Sequence, residues 1–494
     1  MNPLENTVDA LVDLSAFATL FDEQAAAGGD RPGAAPRRLG MPLPELVPSA
    51  EGALSDHNDP AFWLEGDVFR YTHLPGPDLL ARLQPLTNWL DARLAHRADS
   101  YSKVAHARIQ ARTHAKDRAG RPFEGVNFAS QDYLSLASHP AVVEAACNAA
   151  RELGVHSAGS AVLMGLTEST VRLEQELASW LGYAHSTVFP TGWGAGYGTI
   201  KTLVRPTDHV VIDMLAHACL QEGAQAATPH VHPFAHLSSK GLESRVARVR
   251  RDHPEAGILV VTESLFSMDS DTPDLRHAVD VCRAYGATLM VDCAHDLGCM
   301  GPDGRGHLSA QGVLGEVDIV MGSFSKTFAA NGGFAASNHP ALQLALRTSC
   351  GPQTFTNAMS PIQAEVVLKA LSIVRSPEGA SRRARLMRNI DHLRASLSAR
   401  GFETLGAPSP IIPTMLGECG LSRLVCSSAL DGGALVNLVE FPAVSRNTSR
   451  LRVQVMADHT QDDLDEFVGI LSQARTAAAA RLALLKAPPE AIGR

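Results

Sequence analysis

From about residue 125 the chain alternates two hydrophobic patterns. One spreads apolar residues at helical spacing. HPAVVEAACNAARELG, opened by His139-Pro140, and VRLEQELASWLG, closed by Gly182, are of this kind. The other is short, continuous and β-rich: STVFP, HVVID, GILVVTES, ATLMVDCA and VDIVMGSF. Apolar runs that do not alternate are how strands buried on both faces of a parallel sheet read. Helical segments between them imply βαβ units, hence an α/β fold with a mostly parallel central sheet. Ligands of such sheets bind beyond the carboxyl ends of the strands.

The pattern changes towards both termini. After residue 380 comes a long Arg-rich helical stretch, EGASRRARLMRNIDHLRASLSARG. Strand candidates SPIIPTML and SRLRVQVMA follow, then a helix from Thr460 that frays in the Ala-rich end. Together these predict a smaller α+β C-terminal domain over 381–494. The segment 101–380 is expected to form the large domain with a lead-in. Residues 1–100 form an N-terminal extension with a possible amphipathic helix over Val8–Gln24, a loop rich in Gly, Pro and Ala, and two tryptophans, Trp63 and Trp89. The extension carries no chemical motif, and packing, oligomerisation or docking of a partner would each explain it.

Composition narrows the classes. A net charge of -9 over 494 residues argues against a nucleic-acid binder. No apolar run is long enough to span a membrane, and the acidic start MNPLENTVDALVDL lacks the basic region and apolar core of a signal peptide. A cytoplasmic location is the expectation. The eight cysteines include no CxxC pair and read as reduced thiols, with no metal site.

Four features fall at the ends of predicted strands. Gly192, Trp193, Gly194 and Gly196 follow STVF and could let a phosphate approach a helix N-terminus. His217 follows HVVID, Asp292 and His295 follow ATLM, and Lys326 sits among hydroxyls in GSFSKTF. Each alone has an ordinary structural explanation. Together, a phosphate cradle, a ring partner, an acid and a lysine are what pyridoxal phosphate (PLP) requires.

At this point the chain from about Asn127 to Leu471 resembles the α-oxoamine synthases, PLP enzymes of fold type I. NFASQDYL from Asn127, ESLFSMDSDTPDL from Glu263, Asp292-Cys293-Ala294-His295, GSFSKTFAANGGF and the segment from Arg450-Leu451-Arg452 to His459-Thr460 match the family's blocks in order. The lysine block is similar in kind to that of serine palmitoyltransferases. The resemblance implies that Lys326 carries the cofactor as a Schiff base and then acts as the base at the substrate Cα. Asp292 pairs with the pyridine nitrogen, His217 stacks on the ring, and His295 and Ser267 lie near the phenolic oxygen. Backbone amides of Gly192 and Trp193, with the Ser323 and Ser325 hydroxyls, hold the phosphate. Thr356 is the candidate hydroxyl from a neighbouring subunit, which makes the expected unit a homodimer with shared sites. Arg452 binds the substrate carboxylate, with Arg450 as the nearby competitor.

The implied reaction joins a small amino acid (serine, alanine or glycine) to an acyl thioester of coenzyme A or an acyl-carrier protein, with loss of carbon dioxide, giving an α-amino ketone. Three departures bear on the substrates. Gln131 replaces the usual Asn on the substrate side, Ala161 follows Gly159-Ser160 where many relatives have Arg, and Ser360 stands where Pro is common. An aminotransferase, aldolase or lyase on the same fold is the alternative, and a non-catalytic subunit a third reading that the presence of Lys326 argues against.

Overall fold

The computed structural model describes residues 59–487 apart from His73. The expected helix over Val8–Gln24, the loop after it and the frayed end past residue 487 lie outside the described residues. In chain order the strands are β1 (Val104–Ala105), β2 (Arg112–Lys116), β3 (Pro122–Phe128), β4 (His185–Phe189), β5 (His209–Asp213), β6 (Val231–Phe234) and β7 (Ile258–Glu263). They continue as β8 (Thr288–Asp292), β9 (Ile319–Ser323), β10 (Gly333–Ser337), β11 (Ile411–Gly417), β12 (Ala434–Val439) and β13 (Ser449–Gln454).

Seven strands form the central sheet in the order β4-β10-β9-β8-β7-β5-β6. The pairs among β9, β8, β7, β5 and β6 are parallel, and β10 runs antiparallel to both its neighbours. The five continuous apolar runs are β4, β5, β7, β8 and β9. Every residue of β5, β7 and β9 is buried. Successive residues serve different cores. Val210 and Ile212 pack with the helices Gly192–Leu203 and Ala218–Ala227 on one face, while Val211 joins the larger core on the other. This is the fold-type-I α/β architecture expected from the sequence.

The second sheet runs β1-β2-β3-β12-β13-β11 and is antiparallel except for the β3–β12 pair. It crosses the expected boundary at residue 380: β1–β3 lie within 101–380 yet pair with strands of 381–494. The junction is tight. A Cβ on Gly125, whose φ is 156°, would lie 1.8 Å from the carbonyl oxygen of Gly433, so only glycine lets these strands meet. The helices Pro377–Ala399, Cys419–Asp431 and Gln461–Lys486 belong to this part of the chain. The last begins in a capping box between Thr460 and Asp463.

The described part of the extension is bedded onto the second sheet. Arg93 and Arg423 are both fully buried and flank Glu440, at 3.2 Å and 2.7 Å. Tyr101 donates to the same carboxylate at 2.6 Å, and Arg423 also donates to the Leu64 carbonyl at 2.5 Å. Both guanidiniums lie against the Trp89 ring. Burial pushes the Glu440 carboxyl up, but the two arginines outweigh it and hold it below the usual range. Glu440 therefore adds stability that is present above its unfolded pKa of about 4.3 and is lost as pH falls through the lower folded value. Glu440→Ala leaves two buried cations unpaired. Denaturant unfolding should show a loss of about 3–5 kcal/mol.

Candidate active site

The carboxyl ends of the central strands carry the chemistry. Asp292 and Glu263 end adjacent parallel strands and are registered partners. Lys326 follows β9, and His217 follows β5 as the N-cap of the helix Ala218–Ala227, its ring nitrogen Nδ1 accepting from the Cys219 amide. The backbone N–H of His217 donates to Glu263 Oε1 at 2.6 Å. His295, just past β8, pairs through Nδ1 with the Tyr133 hydroxyl at 2.9 Å. Arg452 enters from β13 of the second sheet.

These groups perturb one another, which marks them as one cluster. Burial pulls the Lys326 amine below its ordinary value, with Arg452 adding to the effect and the carboxyls of Asp292 and Glu263 opposing it. Among the described residues the Lys326 amine forms no ion pair or hydrogen bond. Burial raises Asp292 to about 6 against the pull of Lys326. Glu263 is driven well above the carboxylate range by burial and by the charge of Asp292. Two neighbouring buried carboxyls do not both ionise readily, so the pair tends to keep a proton. Burial, with the positive charges of Lys326 and Arg452, lowers His217 to about 4 and His295 well below its ordinary value. Both rings are neutral at neutral pH.

The glycine turn closes the site on another side. A Cβ on Gly192 would lie 2.5 Å from Ser323 Oγ, and one on Gly333 would lie 2.7 Å from the Gly192 Cα. Only glycine therefore lets the N-terminus of the helix Gly192–Leu203 reach the end of β9. The Ser323 and Ser325 hydroxyls sit 2.7 Å apart beside it. Thr191 caps the helix by accepting from the Gly194 amide at 2.9 Å. The Trp193 ring lies edge-on to His217, with centroids 5.9 Å apart.

The two candidate arginines separate. Arg450 is already committed to Asp269, to the Met268 carbonyl and to the Thr448 carbonyl. Among the described residues the Arg452 guanidinium makes only a 4.0 Å contact to Met268 Sδ, and its buried Nε has no hydrogen-bond partner. Its guanidinium is free for a planar anion such as a carboxylate. Burial lowers its pKa, and the Tyr133 hydroxyl opposes this.

Ser267 lies in the loop after β7, next to Met268 and hence near Arg452. Gln131 is half-buried in the loop after β3, close in sequence to Tyr133. Thr356 is not brought into the cluster within one chain. It is exposed, and its hydroxyl donates to the Pro352 carbonyl at 2.6 Å.

Two participants escaped the sequence reading. Glu263 and Tyr133 both fall inside quoted motifs, and the strand-end position of Glu263 was the available signal. A further clamp was also missed. His236 bridges Asp213 at 2.9 Å and Asp271 at 3.2 Å, tying the Ser267 loop to the end of β5. Burial opposes protonation of His236, but the two carboxylates carry it up to about 10.

The donor set fits PLP. It offers an amine whose charge burial disfavours, a buried carboxyl for a ring nitrogen, an open helix N-terminus with hydroxyls for a phosphate, and a guanidinium whose Nε is unsatisfied. Comparison with known proteins agrees. Residues 124–471 match the family model "Aminotransferase class I and II". The chain is 33% identical over 350 residues to the 8-amino-7-oxononanoate synthase of Geobacter metallireducens, covering 71% of this chain and 88% of that protein. It is 34% identical over 346 residues to the serine palmitoyltransferase of Sphingomonas paucimobilis, covering 69% and 81%. The serine palmitoyltransferase structure from Sphingomonas wittichii superposes with a TM-score of 0.76 at 29% identity, covering 82% of this chain and 99% of that one. A further similar structure is a serine palmitoyltransferase carrying PLP as the internal aldimine, with a TM-score of 0.76 at 30% identity. The chain belongs to the class I and II aminotransferase family of PLP-dependent enzymes and, within it, to the α-oxoamine synthases.

Proposed function

We propose that this enzyme condenses a small amino acid (serine, alanine or glycine) with an acyl thioester, releasing carbon dioxide and a thiol to give an α-amino ketone. The observation that carries the proposal is the unpartnered Arg452 guanidinium, which shares a cluster with the unpaired, charge-suppressed Lys326 amine. That combination fixes a carboxylate and sets a base beside the carbon that bears it. The names of the relatives, which include a palmitoyltransferase acting with serine, support the substrate class.

Bound PLP supplies a carbonyl for the substrate amine and a ring that accepts the electron pair left at Cα. The chain does the rest. Lys326 anchors the group and, once displaced, takes and returns the proton at Cα; its depressed pKa keeps a neutral fraction for that work. Asp292 holds the proton on the ring nitrogen. Glu263, with its proton, leaves Asp292 to carry the negative charge. His217 would stack on the ring, and His295 with Tyr133 and Ser267 would lie near its phenolic oxygen. Gly192, Trp193, Ser323 and Ser325 hold the phosphate. Arg452 orients the carboxylate so that the bond to hydrogen, and later the bond to the carboxyl group, is aligned for cleavage, with Gln131 on the same side.

The working unit of the proposal is a homodimer. Leu163, Met164 and Phe355 are 81–91% exposed. Their segments are tied together by a 2.8 Å bond from the Ala358 amide to the Gly159 carbonyl. A second copy would cover this apolar patch and bring its Thr356 to the phosphate. The donor's carrier is coenzyme A or an acyl-carrier protein. No helix among the described residues is long and apolar enough to cross a membrane. The eight unpaired cysteines suit a reducing, cytoplasmic setting.

Arg452→Gln should raise the amino-acid KM by about 30-fold or more, the loss of roughly 2 kcal/mol or more that follows when one partner of a buried charge pair is removed. Steady-state kinetics against serine, alanine and glycine read this out. The proposal itself is tested by titrating the holoenzyme with those amino acids and following the cofactor's visible absorbance. One of them should shift the band at low concentration, and adding an acyl thioester should then release free thiol. A band shift followed by amino transfer to a keto acid, without thiol release, would replace the synthase reading with an aminotransferase.

A further inference from the structure

The substrate-carboxylate arginine opens onto a second space. A cavity of about 620 Å³ lies between the N-terminal extension and one face of the second sheet, within the size range of small-molecule sites. Its floor is formed by β12. Leu435, Asn437 and Val439 of β12 face it, and Asn437 is the registered partner of Arg452. Its walls are Val68, Trp89 and Ser100 of the extension and the lead-in segment 101–105 that follows it, with Phe441–Ala443 from the loop after β12 and Met268 beside Arg452. It is far larger than a small amino acid needs.

Most polar groups around this cavity are already engaged, and among the described residues Trp89 Nε1, Ser100 Oγ and Arg452 Nε are its buried polar atoms without a partner. Glu440 is held by Arg93, Arg423 and Tyr101. Lys103 donates to the Ser100 carbonyl, the Asn437 amide to the Ala129 carbonyl, and the Asn127 amide to the Gln110 carbonyl and Ser130. What remains for a ligand is largely hydrocarbon, with the unpartnered Arg452 Nε at one end. We infer that this cavity receives the acyl chain of the thioester donor, so that the extension is a wall of the acyl site and helps set the chain length accepted. The inference rests on the condensation proposed above. It explains why the extension is riveted through the buried Arg93–Glu440–Arg423 cluster.

Ala105→Trp and Ala443→Trp fill the cavity from opposite walls. Both positions are exposed, so neither change disturbs a core. The probe is a dansyl-labelled fatty acid added to the PLP-loaded enzyme, with its fluorescence followed on binding. The expected result is saturable binding that palmitoyl-coenzyme A displaces and free coenzyme A does not, weakened by at least about tenfold in both variants. The ratio of kcat/KM for palmitoyl- over butanoyl-coenzyme A should fall by a similar factor. Binding unchanged in both variants, or displacement by free coenzyme A as effective as by palmitoyl-coenzyme A, would overturn the assignment. The amino-acid-induced absorbance change separates the two claims. If it persists while the chain fails to bind, the acyl site alone is wrong. If it is absent while the chain binds and the variants lose it, the condensation is wrong and the cavity stands.

Discussion

Lys326→Ala should yield a folded protein that binds PLP without a covalent link and turns over at least about 10³-fold more slowly. The Lys326 amine has no hydrogen bond or ion pair among the described residues, so no structural partner is orphaned by its removal. The other half of the cradle, from Gly192 to Ser325, stays in place. The variant should therefore keep the cofactor through gel filtration but lose the visible band that borohydride reduction fixes in the wild type. In the proposed mechanism both anchoring and proton transfer at Cα depend on the one amine, so adding methylamine should restore some turnover and no covalent link to the chain. Turnover within tenfold of the wild type would remove Lys326 from the chemistry.

Asp292→Asn should lower kcat by about 10²–10³-fold while leaving the fold intact. The amide keeps the shape and can still accept from the Ala294 amide, as Asp292 Oδ1 does at 2.8 Å. It cannot carry the negative charge that, in the proposed mechanism, would hold a proton on the ring nitrogen. The pH dependence of cofactor binding gives an independent check. The Asp292 carboxyl sits at about 6, and a cationic ring nitrogen beside it would draw that value down. Cofactor affinity should then weaken as pH falls below about 6, where the carboxyl of the free protein takes a proton. In Asp292→Asn that weakening should disappear, which equilibrium dialysis at a series of pH values would show.

The central sheet was legible because β5, β7, β8 and β9 are buried on both faces and spell it in unbroken β-branched and aliphatic runs. Strand β10, GFAAS, escaped because small residues carry little strand signal. It is the one antiparallel member and is held by burial between β4 and β9. The pairing of β3 with β12 joins residues near 126 to residues near 434, and no local pattern announces a contact of that range. Strands from both sides of residue 380 therefore share one sheet, joined through that pair.

At the site, Lys326, Asp292, His217 and His295 were readable as strand-end residues, the places an α/β sheet offers to a ligand. Arg450 and Arg452 stand two apart on one strand and point to the same face, so the sequence favoured one over the other only by resemblance. What separates them is Asp269, which lies on a distant loop and engages Arg450 alone. Glu263 was quoted as part of a motif and given no role, because its pairing with Asp292 depends on strand register. Thr356 depends on a second chain and stays a proposal. The extension held no motif, and what the structure shows of it is a shape: Val68, Trp89 and Ser100 line a cavity against the second sheet.

The most direct test of the account is the stoichiometry of the reaction. The wild-type holoenzyme is incubated with carboxyl-labelled serine, alanine or glycine and an acyl thioester, and labelled carbon dioxide and free thiol are measured together. The account predicts that one of these amino acids releases the two in equal amounts, in a reaction that needs Lys326. Carbon dioxide without thiol, or amino transfer with neither, would contradict it.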